Sequence, residues 1–163
     1  MSTDPIKDAL HLMPYGFYAV TSHAGDAYNA MVANWIMQVS FTPRLVAFGL
    51  AKKAHSHQLI AESGAFVINI FQKSNADAIK GYTKPHAKNP DKLTDVAYTL
   101  SPILDCPVLP GAAAYLECKL LQLVDVGGDH DVVVAEVVGA EVLQPGNSAE
   151  TLTLPHLGWN YAG

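Results

Sequence analysis

The chain has 163 residues, of which 50% are hydrophobic and only 15% charged, and its formal net charge is −5. This length predicts one domain with a full hydrophobic core, covering residues 1–163. The negative charge argues against general nucleic-acid binding. The longest apolar run, residues 45–51, is too short to cross a membrane, which takes about 20 residues.

The composition also bears on assembly and compartment. A monomer with so few charged residues would expose much apolar surface, so we expect a homodimer whose interface covers part of it. No basic stretch followed by an apolar block opens the sequence, so we expect no secretory signal and a cytoplasmic location. Cys106 and Cys118 are too far apart for a metal hairpin and are expected to be buried free thiols.

Strand patterns dominate the chain in sequence order. The six clearest strands are residues 17–22, 28–40, 44–51, 65–71, 113–126 and 132–143. The second is expected to be one long arm, paired with the first through a turn. The third is apolar almost throughout, which predicts burial on both faces. A glycine-bearing hairpin at residues 127–131 joins the last two.

Three short helices are predicted around these strands. The first is capped by Asp4, the second has Ser56 as its N-cap and Gly64 as its end, and the third covers residues 74–82. Residues 83–92 read as an exposed loop of a kind that often closes over ligands. Because strands follow one another without regular helical crossovers, we expect a mainly β protein with peripheral helices, an antiparallel barrel or sandwich.

The basic residues are concentrated in the middle of the chain. Seven of the ten are Lys52, Lys53, Lys73, Lys80, Lys84, Lys88 and Lys92, whereas beyond position 100 there is one lysine and there are eight acidic residues. A local basic patch on an acidic protein favours small phosphorylated ligands. A solvated loop explains the lysines between positions 73 and 92 equally well.

A candidate phosphate site lies between the third strand and the second helix. Lys52, Lys53 and Ser56 bring two ammonium groups and a hydroxyl to a helix start, which suits a phosphate monoester. An ordinary cap beside solvated lysines explains the same residues. His55 and His57 suggest a metal site, but residues two apart do not share a helix face and no carboxylate is near in sequence. No metal is predicted.

Polar residues within the second strand suggest a surface for a flat ring. Alternation predicts Ala33, Trp35, Met37 and Val39 on one face and Asn34, Gln38 and Ser40 on the other. The small Ala33 would let a ring approach the backbone. A half-buried strand with its amides in water fits the pattern as well. No nucleophile with its base and no glycine-rich dinucleotide fingerprint is visible.

Several segments, taken together, resemble the flavin reductase-like family. They are residues 15–22, 29–35, 39–40, 42–46, 63–69, 128–130 and 132–138, in the family's order and over most of the chain. The resemblance implies a split β-barrel that binds FMN, or FAD, at a homodimer interface. It also implies electron transfer from NADH or NADPH through the flavin to free flavin or to a protein acceptor. The members most similar to this chain are those that pair with rubredoxin-type or flavodiiron electron chains.

The resemblance also implies roles for individual residues. The implied flavin site consists of Asn29, Ala33, Asn34, Trp35, Gln38, Val39, Ser40, Lys52, Lys53, Ser56, His156, Trp159 and Tyr161. Lys52 and Ser56 would hold the phosphate, and His130 would face the nicotinamide as the catalytic residue. Many relatives carry Thr or Ser at the positions of Asn34 and Trp35. A non-catalytic FMN-binding electron-transfer protein and a pyridoxamine phosphate oxidase-type enzyme on the same barrel stay open as alternatives.

Overall fold

Strands account for most regular structure in residues 3–161, which the computed structural model describes. In chain order the elements are α1 (Pro5–Leu10), β1 (Tyr18–Ala24), β2 (Ala27–Ala33), β3 (Ile36–Ser40), β4 (Leu45–Ala51), α2 (His55–Ser63), β5 (Ala65–Ile70), β6 (Thr99–Leu100), β7 (Pro107–Val108), β8 (Ala114–Val124) and β9 (His130–Val142). Short 3₁₀ helices cover Lys73–Tyr82, His86–Lys88 and Pro155–Leu157. The predicted mainly β class with few helices is confirmed. The predicted domain, residues 1–163, also includes residues 1–2 and 162–163, which lie outside the described part.

Seven strands form one antiparallel sheet in the order β2-β1-β5-β8-β9-β4-β3. The β8–β9 hairpin, predicted from its glycine-bearing turn, is the central ladder that joins the two halves of this sheet. Strands β6 and β7 pair separately. Within residues 3–161 no ladder joins β2 to β3, so these two strands are the edges.

The hydrophobic core occupies both faces of the sheet. One cluster packs α2 against the sheet and includes Val20, Phe48, Leu50, Ile60 and Phe66. The other lies beneath the 3₁₀ segments and includes Ala19, Phe71, Ile79, Leu109 and Leu152. Neighbouring residues of β1 belong to different clusters because successive strand side chains point to opposite faces. Strand β1 is therefore covered on both sides.

The prediction of one long strand over residues 28–40 is wrong. Strand β2 ends at Ala33 and pairs with β1, whereas β3 pairs with β4 at the other edge of the sheet. Trp35 lies in the break, and its ring packs on Gly49, where an added Cβ would be 2.9 Å from Trp35 Cε3. This local packing takes the chain from one sheet edge to the other. The predicted alternation across the arm fails at the same point, since Ala33 and Asn34 are both buried.

Two further predictions are corrected by the surroundings of each element. Strand β4 alternates between buried and half-buried residues, because successive side chains point to opposite faces and only one of these faces packs in the core. Helix α2 has Ala54, not Ser56, at its N-cap, and Ser56 is its second residue. Gly64 ends α2 in the left-handed conformation at φ 68°, as predicted. The segment predicted as a helix over residues 74–82 is 3₁₀, with non-helical backbone at Asn75.

Candidate functional site

A cavity of about 790 Å³ lies beside the edge strand β2 and the start of α2. Four parts of the chain line it: β2 with the following break, the β4–α2 connection, residues 82–92 and residues 154–161. His130, the first residue of β9, completes the lining. The volume falls within the range of small-molecule and cofactor sites, which is about 300–1,000 Å³.

Most of the predicted site residues meet at this cavity. Those that line it are Asn29, Ala33, Asn34, Trp35, Lys53, Ser56, His130, Trp159 and Tyr161. They come from sequence positions more than 100 residues apart, and the fold brings them to one place. Whether each contacts a bound cofactor stays a prediction.

The other five predicted residues lie away from the cavity lining. Gln38, Val39 and Ser40 are on the edge strand β3, where Gln38 Nε2 donates to the Ser40 carbonyl at 3.1 Å. Lys52 Nζ lies 2.6 Å from Asp125 Oδ1 and 3.8 Å from Asp131 Oδ1. The hydrogen bond to Asp125 raises the pKa of Lys52. His156 is exposed in the last 3₁₀ helix.

A buried polar pair forms one corner of the cavity at the start of α2. Asn29 is 3% exposed and Ser56 is fully buried. Asn29 Nδ2 donates to Ser56 Oγ at 2.9 Å, while Asn29 Oδ1 is buried without a hydrogen-bond partner in the described residues. A buried acceptor without a donor costs about 1–3 kcal/mol. The corner therefore suits a ligand that brings a hydroxyl or N–H group to Asn29.

Aromatic rings cluster at the opposite side of the lining. The Trp35 ring centroid lies 5.0 Å from that of His130 and 5.3 Å from that of Tyr161. Asn34 Nδ2 donates to the Tyr161 carbonyl at 3.3 Å. His130 Nδ1 lies 2.7 Å from Asp129 Oδ1, which fixes the orientation of the imidazole ring. Residues 159–161 are thus held against the break after β2 and border the cavity.

The wall residues that sequence reasoning did not assign to the site include His55, His86 and Lys92. The two imidazole rings are stacked, with centroids 3.9 Å apart and planes inclined by 20°. Lys92 is only 8% exposed and donates from Nζ to the Lys84 carbonyl at 2.6 Å. Burial lowers the pKa of Lys92. Burial, and then the charges of His86 and Lys92, lower the pKa of His55.

The prediction of an exposed loop over residues 83–92 is confirmed for most of them, with Lys92 as the buried exception. Lys92 and the half-buried His86 both contribute to the cavity wall, and residues 86–88 form a 3₁₀ turn in which the His86 ring stacks on His55 of α2. The basic patch between positions 52 and 92 was the signal for this wall. The pattern alone did not separate its inward-facing residues from its exposed ones.

The structure also bears on a metal site, on membrane-spanning helices and on the two cysteines. Among residues 3–161, no group of three or more His, Cys, Asp and Glu side chains is arranged to hold a metal ion. In that part of the chain no helix combines the length and the apolar character needed to cross a membrane. Cys106 and Cys118 are buried free thiols, as predicted, and burial raises the pKa of each to about 12.

Sequence comparison finds a matching domain family and several similar proteins. Residues 10–159 match the flavin reductase like domain. The chain is 32% identical over 143 residues to high molecular weight rubredoxin of Moorella thermoacetica, covering 85% of this chain and 60% of that protein. It is 29% identical over 152 residues to diflavin flavoprotein A 1 of Synechocystis sp., covering 93% of this chain and 26% of that protein. The chain therefore spans only part of the length of these relatives.

Structure comparison finds the same fold in solved flavin reductases. The NADH:FAD oxidoreductase of Streptomyces globisporus, in complex with NAD and FAD fragments, has a TM-score of 0.71 and 28% identity, covering 80% of this chain and 76% of that one. The flavin reductase HpaC complexed with NADP⁺ has a TM-score of 0.75 and 27% identity, covering 87% of each chain.

Proposed function

Because this chain belongs to the flavin reductase-like domain family, as the match over residues 10–159 establishes, we propose that it is an FMN-dependent oxidoreductase. It passes electrons from NADH or NADPH through bound flavin to free flavin or to a protein acceptor. The cavity of about 790 Å³ carries this proposal, because it gathers most of the residues that the family resemblance implies. FAD in place of FMN would use the same cavity.

The cavity lining fits a flavin in both shape and chemistry. Ala33 exposes backbone to a flat ring, because it has no bulky side chain, and Trp35, whose ring covers Gly49, borders the same space. Asn29 Oδ1 would accept a hydrogen bond from a hydroxyl of the ribityl chain. Ser56 and the free N–H groups at the start of α2 would hold the phosphate. When bound, the flavin supplies the redox chemistry by taking up two electrons from a reduced nicotinamide.

His130 is proposed to act on the nicotinamide side of the cavity. Its ring is oriented by the contact of Nδ1 with Asp129 Oδ1 at 2.7 Å and lies against Trp35. An imidazole held in this way would position a nicotinamide through a hydrogen bond rather than exchange a proton with it. The arrangement supports a role for His130 in positioning the nicotinamide.

A homodimer is proposed to cover the uncovered face of β3, β4 and β9. The ladder register aligns Met37 with Ala47 and Ala47 with Val134 in one row across these strands. The side chains of Met37, Val39 and Phe41 are exposed. In such a dimer Met37 and Val39 would meet a second copy, whereas Gln38 pairs with the buried Val46 and lies on the opposite face of β3. Sedimentation equilibrium should give the mass of a dimer for the wild type and that of a monomer for Val39→Glu. A monomeric wild type would refute the proposed dimer.

The tail of the described chain favours a second candidate, a non-catalytic FMN-binding electron-transfer protein. Trp159 and Tyr161 border the cavity, and Tyr161 packs on Trp35 where a nicotinamide would have to enter. If the tail keeps this position, a partner protein would reduce the flavin in place of NADH.

The cytoplasmic location and the lack of nucleic-acid partners also remain predictions.

The deciding experiment is an absorbance titration of the purified protein with FMN, followed by NADH or NADPH without oxygen. The oxidoreductase proposal expects a bound-flavin spectrum that bleaches when the nucleotide is added. A bound flavin that stays oxidised would support the electron carrier. If no FMN binds, neither function stands.

A further inference from the structure

We infer that His55, His86 and Lys92 form a proton-linked binding subsite for a phosphate monoester in the cavity wall. The inference rests on the proposed function, because the monoester is either the 5′-phosphate of FMN or the 2′-phosphate of NADPH. Both groups present the same chemistry to the protein, a dianion with three acceptor oxygens.

The charge of the cavity lining points to an anion. The charged side chains among its described residues are all basic, namely Lys53, Lys84 and Lys92, and the lining contains no carboxylate. Three neutral hydrogen-bonding groups, Asn29, Ser56 and the start of α2, lie in the same lining. A ligand with several negatively charged oxygens would satisfy the lysines, the Ser56 hydroxyl and the N–H groups, whereas Asn29 Oδ1 needs a hydroxyl or N–H group from another part of the same ligand.

Lys92 supplies a buried charge that lacks a counter-ion in residues 3–161. Its Nζ donates to the neutral carbonyl of Lys84, and none of the ion pairs among these residues includes it. Lys52 differs, since two carboxylates lie within 4 Å of its Nζ. A buried ammonium group is costly without a partner, and an anion in the cavity would provide one.

The stacked imidazoles make the subsite sensitive to protons. With centroids 3.9 Å apart, two charged rings would repel each other, so both cannot readily be protonated in the absence of an anion. His86 Nδ1 is buried and has no hydrogen-bond partner in the described residues. A dianion beside the rings would reverse this preference for neutral rings, because it stabilises the protonated imidazole and accepts a hydrogen bond from its N–H group.

The direction of the pH dependence follows from these charges. Burial and the neighbouring charges lower the pKa of His55, so its ring is neutral near pH 7 when no anion is present. The bound dianion raises this pKa, so a proton is taken up on binding and affinity increases as the pH falls. The effect should hold above about pH 6, below which the monoester itself loses its second charge.

The test compares FMN with riboflavin, which has the same ring and ribityl chain but no phosphate. Dissociation constants are measured by flavin fluorescence quenching from about pH 6.5 to about pH 8.5. We expect FMN affinity to fall by up to about tenfold per pH unit, and riboflavin affinity to stay constant. Calorimetry in buffers of different ionisation enthalpy should find uptake of about one proton with FMN only.

Three variants separate the subsite from general effects of charge. His86→Phe keeps a flat ring for the stack but cannot be protonated, and it should remove the pH slope for FMN while leaving riboflavin binding unchanged. His55→Gln, on the helix side of the stack, should do the same. Lys92→Met should weaken FMN binding about tenfold. The control is Lys88→Met, which changes the net charge equally in the same loop but at an exposed residue outside the cavity lining.

The outcomes distinguish this inference from the proposed function. An equal pH slope for FMN and riboflavin, or a slope that persists in both histidine variants, overturns the subsite as an FMN site. If the variants instead raise the KM of NADPH and not that of NADH, the monoester is the nucleotide 2′-phosphate and the subsite stands. If neither phosphate responds, the subsite is refuted, and oxidation of NADH by the protein would still support the proposed function. Proton-linked FMN binding without nicotinamide oxidation supports the subsite and contradicts the reductase.

Discussion

The floor and the rim of the cavity are built by different kinds of interaction. The floor consists of β2, β4 and the first turn of α2, which are joined to the sheet by ladders and to the core through Phe48 and Leu50. The rim consists of residues 82–92 and 154–161, which are held largely by single contacts such as that of Asn34 with the Tyr161 carbonyl. Segments with few ladder bonds open at lower free energy than sheet strands. Stability should therefore depend on the floor, and ligand affinity on the rim.

The largest effect is expected from Phe48→Ala in the floor. Phe48 is 2% exposed and packs edge-on against Phe66, with ring centroids 5.3 Å apart. Truncation should lower the free energy of unfolding by about 3–5 kcal/mol in urea denaturation, because it leaves a cavity in the core. The control is Leu12→Ala, at a residue that is 84% exposed, which should change that free energy by less than about 0.5 kcal/mol. Similar losses for both would contradict a floor that carries the stability.

Asn29→Ala tests the polar corner where the floor meets the ligand. The change removes the donor to Ser56 Oγ and the unpartnered acceptor Oδ1 together. We expect FMN affinity to fall about tenfold and the free energy of unfolding to fall by about 1 kcal/mol. Fluorescence titration and urea denaturation measure the two quantities separately. FMN affinity equal to that of the wild type would exclude this corner from the flavin site.

Tyr161→Ala tests the rim, with a smaller effect expected. Tyr161 contacts Trp35 through its ring and Asn34 through its carbonyl, and only the ring contact is lost. FMN affinity should change by about threefold, and the free energy of unfolding by less than about 0.5 kcal/mol. If the tail blocks the nicotinamide, the same variant should lower the KM for NADH. A loss of stability as large as that of Phe48→Ala would show that floor and rim are not separate.

Lys52→Met and Lys53→Met should have the smallest effects and should differ from each other. Lys53 lines the cavity, so its loss should weaken FMN binding about twofold to threefold. Lys52 is paired with Asp125, so its loss should leave FMN affinity unchanged. An equal loss of FMN affinity in both variants would contradict this difference and support Lys52 as a phosphate ligand.

The same pair gives a pH dependence with a definite sign. The hydrogen bond from Lys52 lowers the pKa of Asp125 below its value in the unfolded chain. The pair therefore stabilises the folded protein above the unfolded-state pKa, and this stabilisation is lost as the pH falls through the lower folded-state pKa. Lys52→Met should flatten this acidic part of the stability profile, measured by urea denaturation across the acidic pH range.

The floor could be predicted from sequence to a greater extent than the rim. An apolar run, a glycine stop and a glycine-bearing turn are local signals, and they predicted β4, the end of α2 at Gly64 and the β8–β9 hairpin. The break at Trp35 could not be predicted, because it depends on space above Gly49 in another strand. The inward position of Lys92 depends on residues 84–88 packing over α2, and no periodic pattern encodes such a contact. The family resemblance supplied what periodicity did not, by bringing Tyr161 and Asn34 into one site.

The contact between Asn34 and the Tyr161 carbonyl joins residues 127 positions apart. It has a consequence for synthesis on the ribosome. A nascent chain that has reached only β9 already holds every strand of the sheet, yet it lacks one wall of the cavity. Cofactor capture in its final geometry must wait until residue 161 has left the exit tunnel, so the ligand site is completed later than the sheet.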